Sequence, residues 1–455
     1  MRRPDLPPTG ILLTDLYQLT MLQAYFAHGL TQTAAFELFV RKLPEKRGFL
    51  MAAGLAQVVE FLESLRVSAA ELDWLASTRR FEDSFLDRLA GLSFTGDLDA
   101  LPEGTVFFPD EPLLRVTAPL PEAQLVETRI INLAHFETVV ASKAARMVLA
   151  APGKQLVDFG LRRAHGAEAG VLAARASYLA GFEASATTLA GALFDIPVSG
   201  TMAHSFVQAH ESEEAAFEAF ARARPANLVL LIDTYDTEKA AEKVVSLAPR
   251  LAKDGIRVRG VRIDSGDLAA HARKVRRILD AGGLGEVIIF ASGGLDEEIL
   301  QRHAREAAAI DGYGIGTALT TSSDAPALDC AYKLQEYAGL ARRKHSEGKA
   351  TWPGRKQVYR QTGNDGAMAG DILTLAGDAQ PGEPLLCPAM RGGKRVPGLP
   401  TLADARRHAA AELARLPKAL KELRPSSYPV SVAPALRTLA AEVDRRIAAA
   451  ELARP

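Results

Sequence analysis

Gly260-Val261-Arg262-Ile263-Asp264-Ser265-Gly266-Asp267 is the stretch from which the fold of this chain is read. A largely apolar run gives way to an acid, a serine and a glycine, with Arg262 inside a segment otherwise suited to burial. Alternate residues of a strand share a face, so Arg262 and Asp264 point the same way where the strand ends. Four more segments follow the same pattern. They are Gly200-Thr201-Met202-Ala203-His204-Ser205 (after an apolar run ending at Val198), Leu231-Ile232-Asp233-Thr234-Tyr235-Asp236, Ala291-Ser292-Gly293-Gly294 and Gly312-Tyr313-Gly314-Ile315-Gly316-Thr317. Repeated strand ends of this kind are how an α/β barrel assembles one site from several loops.

Outward from these segments, helix and strand signals alternate from about Ala134 to Gly339. A long helix through Arg146 leads into strands at Gln155–Phe159, Leu228–Ile232, Val258–Ile263, Val287–Ala291 and Ala331–Tyr337. That alternation predicts a parallel sheet, and its length suits an irregular TIM-like barrel. Upstream, the pattern predicts a helix over Leu12–Ala27 capped by Thr14, a strand over Ala34–Arg41 and a helix over Met51–Arg66. Short strands at Gly104–Phe108 and Leu113–Val116 complete a compact α/β layer. Downstream, Lys344–Arg360 reads as a hairpin about Pro353-Gly354, and Thr401–Leu416 and Ala433–Ala450 as amphipathic helices.

The chain has 455 residues, which is long for one domain, and its 48% apolar content supports a full-sized core. With 54 basic and 55 acidic residues, its balance gives no electrostatic case for nucleic acid or an anionic membrane. Cys330 and Cys387 are too few for a disulfide framework or a cysteine-rich zinc site. No apolar run suits a signal peptide or a membrane span, so a cytoplasmic protein is expected.

Together with Thr14-Asp15-Leu16-Tyr17-Gln18-Leu19-Thr20-Met21, Phe36-Glu37-Leu38-Phe39-Val40-Arg41 and Asp158-Phe159-Gly160-Leu161-Arg162-Arg163-Ala164, the strand-end segments resemble the nicotinate phosphoribosyltransferases. The resemblance covers most of the chain and weakens after about Arg360. It implies an N-terminal α/β sandwich-type domain over 1–133, a barrel over 134–340, and a C-terminal region, 341–455, packing back on the first. The implied activity is ATP-dependent synthesis of nicotinate mononucleotide from nicotinate and 5-phosphoribosyl 1-pyrophosphate, with ATP and Mg²⁺ required. A homodimer with shared active sites is also implied, because Tyr17 lies a domain away from the barrel motifs.

Phosphoribosyl transfer needs a cradle for the 5′-phosphate, a place for magnesium pyrophosphate, and tolerance of a cationic transition state. Gly314, Gly316 and Thr317 suit the phosphate, since glycines let backbone N–H groups approach an anion and the threonine adds a hydroxyl. Ser292, Gly293 and Gly294 can form the other half of the cradle. Some relatives carry asparagines in place of those two glycines, so only backbone contacts carry over there. Arg262 can hold a carboxylate in a bidentate pair, or can pair with Asp264 or Asp267; the residues alone leave both open. The resemblance puts Arg262 in the nicotinate pocket with Thr201 and Tyr17.

Asp233 and Asp264 are the acids assigned to function, as candidates for magnesium held mainly through substrate; Asp236 and Asp267 read as helix caps. One of Arg162 and Arg163 can reach pyrophosphate; alternation does not say which, and family matching favours Arg162. His204 matches the histidine this family phosphorylates to couple ATP hydrolysis to product formation, and His210 is a weaker candidate. A nicotinamide-specific relative would need an acidic acceptor near Ser199-Gly200-Thr201, and a quinolinate enzyme a pocket richer in Arg and Lys. A silent scaffold that kept the barrel is the remaining alternative, and His204, Arg262 and the Gly314–Thr317 loop argue against it.

Overall fold

The computed structural model describes residues 9–346, 350–424 and 426–452. The chain divides into two compact units, one made of Met1–Ser142 with Ala327–Pro455, the other of Lys143–Pro326.

The Lys143–Pro326 unit is built on six parallel strands in the order Ala184–Ser185, Gln155–Asp158, Gly312–Ile315, Ile288–Ser292, Val258–Ile263, Leu228–Leu231. Pairings such as Gly260 with Ile288 and Phe290 with Gly312 bring the polar ends of neighbouring strands to one edge. The strands bury apolar residues on both faces, among them Leu230, Leu231, Val261, Ile263, Ile289 and Ala291, as strands covered by crossover helices must. Those helices are started by acids just past the strand ends. Asp236 accepts the Lys239 N–H and Asp267 the Ala270 N–H, as expected, and Asp296 accepts the Ile299 N–H.

The sheet is curled, but among the described residues its edge strands, Ala184–Ser185 and Leu228–Leu231, do not pair with each other. A closed TIM ring is therefore not what the ladder shows. The segment between those edges carries the helices Thr188–Phe194, His204–Gln208 and Glu213–Ala223, with one bridge from Ser185 to Val198. The strand expected at Ala331–Tyr337 does form, as Cys330–Tyr337, but it runs antiparallel to Thr33–Val40 in the other unit.

The Met1–Ser142 and Ala327–Pro455 unit holds a seven-stranded sheet. Its order is Leu340–Ala341, Cys330–Tyr337, Thr33–Val40, Pro112–Pro119, Asp97–Ala100, Cys387–Arg391, Lys394–Arg395. Strands from the C-terminal region thus extend the N-terminal sheet. Glu37 is fully buried within it and is met by Lys356 Nζ at 2.6 Å.

A second, four-stranded sheet is anchored by Arg360. Its guanidinium bonds both oxygens of Asp371, at 3.0 and 2.6 Å, and Glu412 at 2.7 Å. Beside it, burial and the Asp371 carboxylate push the Glu111 carboxyl well above the usual carboxylate range, against the pull of Arg360. Glu111 Oε2 accepts the Phe108 N–H, and Oε1 is buried on the side of the cluster.

Three local expectations are corrected. The first helix runs from Leu16 to Ala27 with Asp15 at its N-cap, while the Thr14 hydroxyl is buried with no partner among the described residues. Met51 belongs to the short strand Leu50–Met51, and the following helix starts at Leu55 after Gly54 turns at φ 91°. The hairpin joins Lys356–Thr362 to Met368–Leu375 instead of folding about Pro353-Gly354. Its turn contains Asn364-Asp365-Gly366, with Gly366 at φ 80°. Among the described residues no helix is long and apolar enough to cross a membrane.

Candidate active site

Arg262 organises the polar end of the parallel sheet. Its side chain, 12% exposed, donates from Nε to Ser292 Oγ at 2.8 Å and from Nη2 to Asp264 Oδ1 at 2.7 Å. Nη1 reaches Thr201 Oγ1 at 3.2 Å and the Met202 carbonyl at 3.3 Å. One guanidinium thereby joins the loop after Ala184–Ser185 to the ends of two neighbouring strands. The ion pair with Asp264, one of the two readings open in the sequence, is present.

Ser292 also donates to Asp264 Oδ1, so acid, hydroxyl and guanidinium form a closed triangle. Burial works to raise the Asp264 carboxyl, but the Ser292 hydrogen bond and the Arg262 charge outweigh it and hold it below the usual range. Asp233, just beyond its strand, accepts the Asp264 N–H at 2.9 Å and the Ser265 hydroxyl at 2.6 Å through Oδ2. Its Oδ1 is buried with no partner among the described residues.

His204 opens the helix His204–Gln208. Nδ1 lies 3.2 Å from Thr234 Oγ1 and Nε2 lies 3.8 Å from Asp264 Oδ2, with the side chain 39% exposed. His210, by contrast, is tied through Nδ1 to the Phe206 carbonyl at 2.7 Å and packs on the Phe206 ring. Those contacts suit a helix-bound structural histidine.

The glycines are required by close approach. Gly293 turns at φ 94°, and a Cβ there would sit 2.1 Å from the Asp264 carbonyl oxygen. A Cβ on Gly314 would meet the Phe159 ring at 2.4 Å. Gly294 also has positive φ, and Gly316 is the N-cap of the short helix Thr317–Thr320. Thr317 Oγ1 accepts from Arg163 Nη1 at 2.8 Å, so Arg163 reaches this loop; Arg162, its expected counterpart, is exposed in the same turn.

Several residues of the site escaped sequence reading. Phe159 lies under the Arg262 guanidinium, 5.4 Å from ring centroid to Cζ. Asp158 is buried, accepting the Gly160 N–H at 2.8 Å and the Ser185 hydroxyl at 2.7 Å. Burial raises its carboxyl, against both hydrogen bonds. It holds the turn that carries Phe159 and Arg163. Thr234, orienting His204, is the third. Alternation marks Asp158-Phe159-Gly160 as a strand end, but no spacing signal says that the ring faces an arginine.

Tyr17 belongs to the other unit, in the first turn of Leu16–Ala27, and is 47% exposed. Partial burial and the nearby Glu127 carboxylate raise its phenol.

Comparisons with known proteins agree over most of the chain. The model of the nicotinate phosphoribosyltransferase (NAPRTase) N-terminal domain matches residues 12–135, that of the NAPRTase family residues 154–347, and that of the C-terminal domain residues 380–440. The nicotinate phosphoribosyltransferase pncB2 of Mycobacterium tuberculosis is 51% identical over 426 residues, covering 93% of this chain and 91% of the relative. The nicotinate phosphoribosyltransferase of Bos taurus is 35% identical over 519 residues, covering 95% and 96%. The crystal structure of human nicotinic acid phosphoribosyltransferase superposes with a TM-score of 0.85 at 33% identity, over 94% of this chain and 99% of that one.

Proposed function

The chain belongs to the nicotinate phosphoribosyltransferase family, and from that membership we propose that it makes nicotinate mononucleotide from nicotinate and 5-phosphoribosyl 1-pyrophosphate. ATP hydrolysis is coupled to the transfer through a transient phosphohistidine at His204. The protein acts in the cytosol as a homodimer, and the parallel strands form the wall of a TIM-like barrel.

The observation that supports this reading best is the Arg262 guanidinium held by Ser292, Thr201 and Asp264 above the Phe159 ring. A flat aromatic carboxylate has complementary chemistry, a π-face for Phe159 and an anion for Arg262. A guanidinium has five N–H donors, and most of those of Arg262 already have acceptors. A bidentate grip on nicotinate therefore requires Asp264 to release Nη2, with Ser292 keeping the acid hydrogen-bonded. Nicotinamide is disfavoured because Ser199-Gly200-Thr201 offers no acid to accept its amide N–H groups. Tyr17 of a second copy completes the pocket.

In the transfer, the pyridine nitrogen lone pair forms the bond to the ribose C1′ while the bond from C1′ to the pyrophosphate oxygen breaks, and no proton moves. Backbone N–H groups at Gly293, Gly294, Gly314 and Gly316, with the Thr317 hydroxyl, hold the 5′-phosphate, the Ser292 hydroxyl staying on Asp264 at the edge of the cradle, and Arg162 or Arg163 faces the pyrophosphate. Asp233 and Asp264 fit a magnesium ion shared with substrate, because Asp233 Oδ1 is a carboxylate oxygen without a partner among the described residues. Bound there, magnesium would neutralise charge on the departing pyrophosphate.

In the coupling step, Thr234 accepts the Nδ1–H of His204 and leaves Nε2 with its lone pair. Nε2 attacks the γ-phosphorus of ATP, the bond to the ADP oxygen breaks, and water later cleaves the N–P bond to release phosphate. A product assay with nicotinate, nicotinamide and quinolinate side by side, with and without ATP, tests the reading. Nicotinate mononucleotide formed faster with ATP is expected; turnover of nicotinamide or quinolinate in its place overturns it.

A further inference from the structure

The ladder between the two strands that lead into the phosphate cradle ends where Ser292 faces Gly314. Gly293-Gly294 and Gly316-Thr317 lie beyond it, so strand pairing does not set the distance between them. Both loops continue into segments that meet again at one buried side chain. Lys143, on the helix Glu127–Ala150, places Nζ 2.6 Å from Glu297 Oε2 and 2.9 Å from Asp324 Oδ1. Glu297 opens the helix Glu297–Arg305, just after Gly294, and Asp324 follows the short helix Thr317–Thr320.

The turn that carries Asp324 is tightly held. Ser322 is buried at φ 45°, a left-handed backbone that is costly for a residue with a Cβ. Its hydroxyl donates to the Ala325 carbonyl at 2.8 Å, and the Ser323 N–H bonds the Ala318 carbonyl at 3.1 Å. A displacement of Asp324 is thereby passed back to the helix that starts at Thr317. On the other arm, Arg146 Nε holds Glu297 Oε1 at 3.2 Å, so the start of Glu297–Arg305 is gripped at two points. Buried ion pairs add little net stability over well-packed apolar residues. Stability alone therefore gives no reason for two cations and two acids at this place. Short charged bonds do fix distances, and the distance fixed here is that between the two halves of the cradle.

We propose that Lys143 is a positioning residue for the 5′-phosphate. By binding Glu297 and Asp324 at once, it holds Gly293-Gly294 and Gly316-Thr317 at the separation that a phosphate group fills, an assignment that rests on those loops being the phosphate cradle.

Isothermal titration of the full-length protein with ribose 5-phosphate, beside steady-state kinetics, tests it. Lys143→Met should weaken ribose 5-phosphate about tenfold or more and raise KM for 5-phosphoribosyl 1-pyrophosphate as much. KM for nicotinate should stay within about twofold of the parent, a split that general loosening of the fold would not give. Where the single variant does not fold, Lys143→Met with Asp324→Asn replaces it; this chain strands no acid, because Arg146 keeps Glu297 paired. A parent that binds ribose 5-phosphate, with variants that bind it equally well or that lose nicotinate in step, overturns the positioning role alone. A parent that does not bind ribose 5-phosphate overturns the cradle reading and the positioning role with it.

Discussion

An Arg262→Ala chain separates what this residue does for the fold from what it does for substrate. The structural loss follows from its bonds. The short, charged contact to Asp264 at 2.7 Å and the one to Ser292 at 2.8 Å carry most of the energy, since the Thr201 and Met202 contacts exceed 3.1 Å. Asp264 is not stranded, because Ser292 still donates to it and its side chain is 28% exposed. A stability loss of about 2–4 kcal/mol is expected. Loss of the carboxylate partner should cost about 2–5 kcal/mol in nicotinate selection, or roughly 30- to 4,000-fold in kcat/KM. Initial rates with nicotinate varied at saturating 5-phosphoribosyl 1-pyrophosphate, beside urea melts of both proteins, measure the two effects separately. Nicotinate kcat/KM within about threefold of the parent, in a folded variant, would refute the pocket assignment and leave only the ion pair with Asp264. Should the alanine chain not fold, Arg262→Lys keeps the charge without the fork, and unchanged nicotinate kinetics there refutes it equally.

His204→Asn should abolish ATP hydrolysis and ATP stimulation together while leaving slow, ATP-independent transfer. The parent incubated with γ-labelled ATP should carry an acid-labile, base-stable label at position 204, and a label at His210 would be the contrary result. Mixing Tyr17→Ala with His204→Ala chains, each nearly inactive, should restore activity through hybrid dimers with one intact site; no recovery after confirmed subunit exchange places both residues in one chain's pocket. Glu111→Gln should flatten the loss of stability toward alkaline pH. A carboxyl raised in the fold contributes stability that is full below the ordinary carboxylate range and is lost as pH rises through its folded value. Gln keeps the neutral form throughout, so the parent's urea midpoint should fall relative to the variant's as pH rises toward mildly alkaline values, and parallel pH profiles of the two midpoints would contradict it.

The strand ends at Arg262, Asp233, Ser292 and Gly314 were legible because a buried strand is apolar until it reaches a loop, where polar and glycine residues take over. Asp236 and Asp267 were legible as caps for the same local reason. The partner of Ala331–Tyr337 was not, since its residues would alternate in the same way in either sheet. Phe159 and Thr234 were hidden because a ring or hydroxyl next to a strand end carries no sign of what it faces. Of the paired arginines, only the turn Leu161–Arg163 decides which reaches Thr317. The Glu111, Asp371 and Arg360 cluster was invisible because charged residues in alternating strands, as Arg360 and Asp371 are, read as a solvent face and an acid in a Pro-Asp-Glu-Pro turn reads as exposed, whereas here they are buried against one another.

The interrupted unit has a consequence for how the protein is made. Strand Thr33–Val40 is flanked by Pro112–Pro119 and Cys330–Tyr337, and Leu334, which faces Phe36, emerges almost 300 residues after it. At translation rates of about 5–20 residues per second, that delay is roughly 15–60 s. Throughout it, Phe36-Glu37-Leu38-Phe39-Val40 has one bare edge, and Glu37 waits still longer for Lys356. The contiguous unit Lys143–Pro326 can meanwhile complete its own six strands on the ribosome. The N-terminal sheet therefore closes only after the contiguous unit has been made, and a ribosome stalled before Cys330 leaves an apolar strand edge open to pairing with its neighbours on the same message.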